Sequence, residues 1–144
     1  MRTAPFLVLL GATSWAGEAF GLWKLNPARS TLAGNQKSVT VRIEPHTRGE
    51  VFTLDTRAAD GRASTFSTIL YLDGKRREFQ DSTCSGTQLS HRVDGRTVEI
   101  VRDCVGGQVR LIRRAEKPGV LILEITEQSS DGRRSERRLV MEKQ

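Results

Sequence analysis

The chain has 144 residues, 37% hydrophobic and 6% aromatic, with a formal net charge of +6. That length suits one domain with a lean core. The basic residues are scattered along nearly every segment and form no stripe with interleaved aromatics. This argues against a nucleic-acid surface and reads as solvated strand faces, with acidic partners favoured where the field acts at all.

The first element is a leader. Arg2, the apolar run APFLVLLGA and the small residues Ser14, Ala16, Gly17 and Ala19 follow the order of a secretory signal peptide. The expected division is a signal peptide over 1–19, cut after Ala16 or Ala19, and a single domain over 20–144. The apolar run is too short to span a bilayer, which takes about 20 helical residues. No later segment is suited to crossing one.

A ladder of turn signals organises the rest. Asp60-Gly61, Asp73-Gly74, Asp94-Gly95, Gly106-Gly107 and Asp131-Gly132 lie between short β-prone runs, and Pro118-Gly119 adds another turn. Strands are predicted over 20–25, 38–44, 50–57, 64–72, 75–80, 87–93, 96–103, 108–114, 120–127 and 134–142. In VTVRI the residues Val39, Val41 and Ile43 share one face, and in TVEIV so do Val98 and Ile100. QVRLIRR sets Val109 and Leu111 opposite Ile112. The one helical signal is a single turn over 27–32.

The fold class expected is all-β: an antiparallel up-and-down meander of about ten strands closed into a β-barrel, because an unclosed meander leaves two raw edges. An open β-sandwich is the alternative. Cys84 and Cys104 form an even pair suited to one disulfide in an oxidising compartment. A two-residue turn at Asp94-Gly95 leaves them one position out of register. A three-residue turn, or a bulge near Gly86, brings them opposite.

The opening run Trp23-Lys24-Leu25-Asn26-Pro27 with Ser30, the Asp-Gly spacing and the terminal EKQ resemble a group of small exported bacterial proteins of unknown function. Gly21 and Trp23, on the first of about ten strands, resemble the Gly-x-Trp of the calycins, the lipocalins and fatty-acid-binding proteins. The end RRLVMEKQ is similar to the closing strand of the latter. The first resemblance implies export to a bacterial periplasm or the extracellular space. The second implies a calycin-like barrel in which Trp23 plugs one end beneath a last-strand arginine, Arg137 or Arg138. Such a cation over an indole contributes about 0.5–2 kcal/mol. The alternative is a Trp23 that is simply a core residue. Two calycin features are missing from the chain. The segment 26–36 is too short for a helical lid, and Leu139 and Met141 stand where fatty-acid-binding proteins carry a carboxylate-gripping Arg-x-Tyr.

Catalytic patterns are absent from the sequence. His46 and His91 have no metal-ligand spacing with each other or with the cysteines, Asp81 and Asp103 are at most a strand-end pair, and no cofactor motif occurs. The function expected is a non-enzymatic binding module for a small apolar or amphipathic ligand. Phe52, Phe66 and Tyr71 are its candidate wall, and Arg114 (or Arg113, if that one points inward) its anionic anchor. The alternative is a filled barrel that acts through its surface on acidic envelope polymers or a partner protein.

Overall fold

The computed structural model describes residues 19–31 and 36–144; the expected signal peptide, Ala19 apart, lies outside them. The described residues form ten strands: β1 (Gly21–Leu25), β2 (Gln36–His46), β3 (Gly49–Ala58), β4 (Ala63–Leu70), β5 (Arg77–Gln80), β6 (Ser85–Arg92), β7 (Thr97–Cys104), β8 (Gly107–Lys117), β9 (Val120–Ser129) and β10 (Arg134–Lys143). A 3-10 turn over Pro27–Arg29 begins at Asn26, whose side chain accepts from the Ala28 N–H. It is the start of the expected helical turn; Leu32 lies outside the described residues.

All strand pairs are antiparallel, in the order β4-β3-β2-β1-β10-β9-β8-β7-β6-β5. The last strand closes onto the first, with Trp23 opposite Lys143 and Leu25 opposite Met141. The up-and-down meander curls until its first and last strands pair, as expected, and the open sandwich is not formed, but two sheet edges remain. The ladder breaks elsewhere, between β4 and β5. That seam is spanned without a shared ladder: Gln88 Nε2 donates to Thr68 Oγ1 (2.9 Å). Beyond the end of β4, Leu72 N donates to Ser90 Oγ (3.0 Å) and Gly74 N to the Ser90 carbonyl (2.8 Å).

The turns work differently from simple two-residue hairpins. Asp60, Asp73, Asp94 and Asp131 each accept, through Oδ1, the N–H of the residue after the glycine. Asp81 does the same for Thr83 without a glycine. Each turn thus satisfies a backbone donor internally, which is why aspartate suits these corners. Gly95 does not adopt positive φ, and the β6–β7 connection is a four-residue loop over 93–96 closed by Val93 N to the Thr97 carbonyl (2.8 Å).

That loop sets the cysteine register. Cys104 lies opposite Gly86, not opposite Cys84. The disulfide forms all the same, with Cα atoms 5.2 Å apart. Gly86 lets the two strands approach closely beside it: a Cβ there would sit 1.8 Å from the Asp103 carbonyl oxygen.

Alternation along each strand divides inside from outside. Val39, Val41 and Ile43 are buried, as their period-two pattern requires. With Phe52, Leu70, Leu121, Leu123, Leu139 and Met141 they fill one half of the barrel around Trp23, which is 1% exposed. The Trp23 indole donates to the Ala19 carbonyl (2.9 Å). The cation over its ring is Lys143, with Nζ 5.7 Å from the centroid. The β10 register excludes the expected arginine lid, since Arg137 and Arg138 lie opposite Ile125 and Glu124, far along the strand from Trp23. Gly21 accounts for the glycine of the Gly-x-Trp pair: its φ of +132° is a backbone conformation that L side chains rarely adopt.

Replacing both cysteines by serine should lower unfolding stability by about 3 kcal/mol, the chain-entropy value for a closed loop of this size. Urea denaturation with and without the disulfide measures it, and an unchanged midpoint would contradict the assignment.

Candidate functional site

The half of the barrel opposite the Trp23 core is not filled. A cavity of about 290 Å³ opens at the end carrying the 59–62, 81–84, 105–106 and 130–133 turns. Leu54 and Phe66 line it from β3 and β4, Ile100 from β7, Val109 and Leu111 from β8, and Ile125 from β9. Cys84 and Cys104 form part of the same wall. Its polar groups are chiefly Arg102, Arg137 and Glu127, with Thr56, Ser64 and Thr83.

Arg102 is the central group. Its side chain is only 6% exposed. Cζ lies 3.5 Å from the Phe66 ring centroid and 3.9 Å from that of Phe79. The guanidinium therefore contacts an aromatic ring from each side of the β4–β5 seam. Nε donates to Gln88 Oε1 (2.8 Å), whose amide in turn donates to Thr68. Nη1 faces Asp81 Oδ2 at 3.5 Å, and Nη2 is buried with no protein acceptor. Burial lowers its pKa to about 10, partly offset by Asp81, so it stays charged at neutral pH.

Asp81 is held by its own turn. Burial works to raise its pKa, but the Thr83 hydroxyl and N–H, the Arg102 charge and the Cys84 N–H outweigh that and hold the carboxyl below its usual range. Arg137 enters the cavity from β10 with a side chain 15% exposed. Its Nη2 reaches Glu127 Oε2 only at 3.8 Å, and its Nε is buried with no protein acceptor.

A second buried arginine pair forms in the filled half. Glu50 and Arg113 are 1% and 2% exposed and meet at 2.8 Å (Nη1 to Oε1) and 3.2 Å (Nη2 to Oε2), with Arg92 3.8 Å from Glu50. Arg113 is thus the inward arginine of β8 and is already neutralised.

The anticipated residues are dispersed. Phe66 lines the cavity. Phe52 lies behind it, fully buried, with ring centroids 6.2 Å apart and edge to face. Tyr71 belongs to a smaller hollow of about 230 Å³ beside the seam, with Arg77 stacked on its ring at 3.9 Å. Arg114 points outward to Glu124 (3.5 Å) and does not line the cavity, because the β8 alternation turns Arg113 inward instead. Arg138 faces Glu116 on the outside. Asp81 and Asp103 do not pair: Asp103 is held by Arg76 and Gln108. His91 meets Glu99 at 2.7 Å. Among the described residues no cluster of His, Cys, Asp and Glu is suited to a metal.

Arg102 and Arg137 were the residues missed as a pair of cavity groups. The signal was the period-two pattern itself. Arg102 continues the face of Val98 and Ile100, and Arg137 that of Leu139 and Met141.

Glu50→Gln leaves Arg113 buried without its counter-charge and should cost about 3–5 kcal/mol, whereas Glu50→Leu with Arg113→Met should recover most of that loss. Chemical denaturation of the two variants checks this. The Asp81 carboxylate, depressed in the folded state, contributes stability that is full above the unfolded carboxylate pKa of about 3.9. That contribution fades as pH falls through the lower folded value. Wild type and Asp81→Asn should therefore differ in urea midpoint at neutral pH, and the difference should shrink as the pH falls below the unfolded carboxylate pKa and through the lower folded value.

The sequence matches no protein-family model and no curated protein. The fold has counterparts among solved structures. A Schistosoma mansoni fatty acid binding protein in complex with arachidonic acid aligns at 10% identity and TM-score 0.59, covering 90% of this chain and 98% of that one. A point mutant of the fluorescent protein UnaG aligns at 13% identity and TM-score 0.56, covering 89% and 97%. A zebrafish ileal bile acid-binding protein complexed with cholic acid aligns at 12% identity and TM-score 0.50, covering 88% and 99%. At these identities the likeness is one of fold.

Proposed function

We propose that this protein is an exported, non-enzymatic binding barrel that takes a small apolar or amphipathic ligand into the cavity at its open end. The observation that carries the reading is the asymmetry of the interior. Buried side chains gather around Trp23, while the end bounded by Ile100, Leu111 and Ile125 keeps about 290 Å³ behind that apolar wall. Interior void in a small barrel is the space such folds use for one ligand. The volume lies at the lower limit of small-molecule sites, which run from about 300 Å³ upward. At about 30 Å³ per water-sized group, it admits roughly ten non-hydrogen atoms. Similar folds hold arachidonic acid and cholic acid, and the space here favours something smaller.

The outer face supports the interior as the site. Arg62, Arg76, Arg77, Arg110, Arg133 and Arg134 each sit in an ion pair with a nearby carboxylate. That arrangement neutralises much of the basic charge that an acidic surface partner would read. The disulfide suits an oxidising compartment, and no helix among the described residues is long and apolar enough to cross a membrane.

Native mass spectrometry of freshly purified protein should show an adduct of a small organic molecule that disappears on denaturation. Val109→Phe, which fills the cavity, should remove the adduct while preserving the β-sheet circular dichroism. Unliganded protein throughout, together with no calorimetric response to eight-carbon amphiphiles, would overturn the reading.

A further inference from the structure

We propose that the seam between β4 and β5 takes up one extended segment of another polypeptide. That segment pairs with the strand edges and carries an acidic, an apolar and a basic residue in N-to-C order. The proposal does not depend on what the cavity holds.

Both edges turn backbone groups into the seam. Ala58 N donates to the Arg62 carbonyl (2.9 Å), which sets the phase of the β3–β4 ladder. Ser64, Phe66 and Thr68 then exchange bonds with β3, while Ala63, Thr65 and Ser67 direct their N–H and C=O groups into the seam. The side-chain contacts of Thr65 with Asp55 and of Ser67 with Thr53 fall at the closer, non-bonded pairs, as this phase requires. Across the seam, Asp81 N donates to the Cys84 carbonyl (2.9 Å), so Phe79 bonds to β6 while Glu78 and Gln80 face β4. The Phe66–Arg102–Phe79 stack ties the edges from inside but gives them no backbone partner. Sheet edges are commonly guarded by charge or by shortness. β5 has four residues and carries Arg77 and Glu78. β4 has eight, and it alone among the ten strands holds no ionisable residue. Ala63, Ser64 and Thr65 are exposed, so this half of the edge is open on both faces.

The hollow of about 230 Å³ beside the seam states what the segment carries. Ile69, Tyr71, Phe79 and Leu89 line it and suit one aliphatic side chain. Two neighbouring cations are already neutralised, Arg76 by Asp103 and Arg77 by Asp73. Lys75 and Glu78 also line the hollow, and their side chains have no partner among the described residues. The two call for one acid and one base from outside. A segment antiparallel to β4, the longer edge, runs parallel to β5 and meets Lys75 before Glu78. Its acid therefore comes first, its base last, and the apolar residue lies between them over the hollow. Added strands draw affinity from main-chain bonds and specificity from alternate side chains, which spaces the three residues as acid-x-apolar-x-base.

The probe is the end-blocked peptide Thr-Glu-Thr-Leu-Thr-Lys-Thr, and the control has its Glu and Lys exchanged. Titrated into the disulfide-intact protein and followed in ¹H–¹⁵N spectra, the first peptide should bind with millimolar or tighter affinity. It should bind at least about threefold more tightly than the control, the yield of two surface ion pairs. Lys75→Glu combined with Glu78→Lys, both exposed positions, should reverse that preference. Thr65→Pro removes an N–H that faces the seam and spares the β3 ladder, so it should abolish binding and keep the β-sheet circular dichroism. Thr65→Ala should bind as wild type does. Should the proline variant fail to fold, the wild type supplies the measurement: hydrogen exchange at the Thr65, Ser67 and Gln80 amides should slow on adding the peptide. Val109→Phe should leave peptide binding unchanged, which separates this site from the cavity. No spectral change at millimolar peptide, equal affinity for the two peptides, binding that survives Thr65→Pro or is lost in Val109→Phe, or unaltered exchange at those three amides would overturn the proposal.

Discussion

The barrel depends on how its one unladdered seam is held. A meander that closes its first strand on its last still has two sheet edges, and here they are β4 and β5. Unpaired strand edges are a liability unless something covers them. The Arg102 guanidinium does so from within, in contact with Phe66 on β4 and Phe79 on β5 while its own backbone sits in β7. A cation over an aromatic ring is worth about 0.5–1 kcal/mol in the open and about 2 or more when desolvated. Two such contacts and the Gln88–Thr68 relay tie the strands together across the break. The same side chain then faces the cavity, so the seam and the site share one residue.

The two halves of the interior hold their ion pairs at different ranges. In the filled half, Glu50 and Arg113 meet at 2.8 Å. In the hollow half, Arg102 stands 3.5 Å from Asp81 and Arg137 3.8 Å from Glu127. Burial of an ion needs a partner, and the chain supplies one to each of these arginines.

Much of the architecture was legible from turns and alternation. The ten strands fall close to where the turn signals place them, although Asp73-Gly74 joins β4 and β5, which do not pair, and β2 buries the very residues its pattern marks. The cysteine register was not, because Asp94-Gly95 reads as a tight turn while the chain makes a wider loop capped by the Asp94 side chain. The site was less legible for a chemical reason. Arginines on a strand read as solvent-facing, yet Arg102, Arg113 and Arg137 each keep the parity of apolar neighbours and point inward. Alternation was the stronger signal, and hydropathy the misleading one. Of the aromatic residues expected in the wall, only Phe66 lines the cavity; Phe52 lies behind it and Tyr71 beside the seam. Nothing local in the sequence marks the Phe66–Arg102–Phe79 stack, since its members come from three separate strands.

The pairing of Trp23 with Lys143 carries a consequence for timing. The first strand finds its second neighbour only in the tenth, so closure joins widely separated segments and bears a large loop entropy. A partly synthesised polypeptide that lacks β10 cannot finish the barrel. Emergence of β10 therefore precedes assembly, and truncation within that strand strips β1 of its partner and uncovers the indole beneath Lys143.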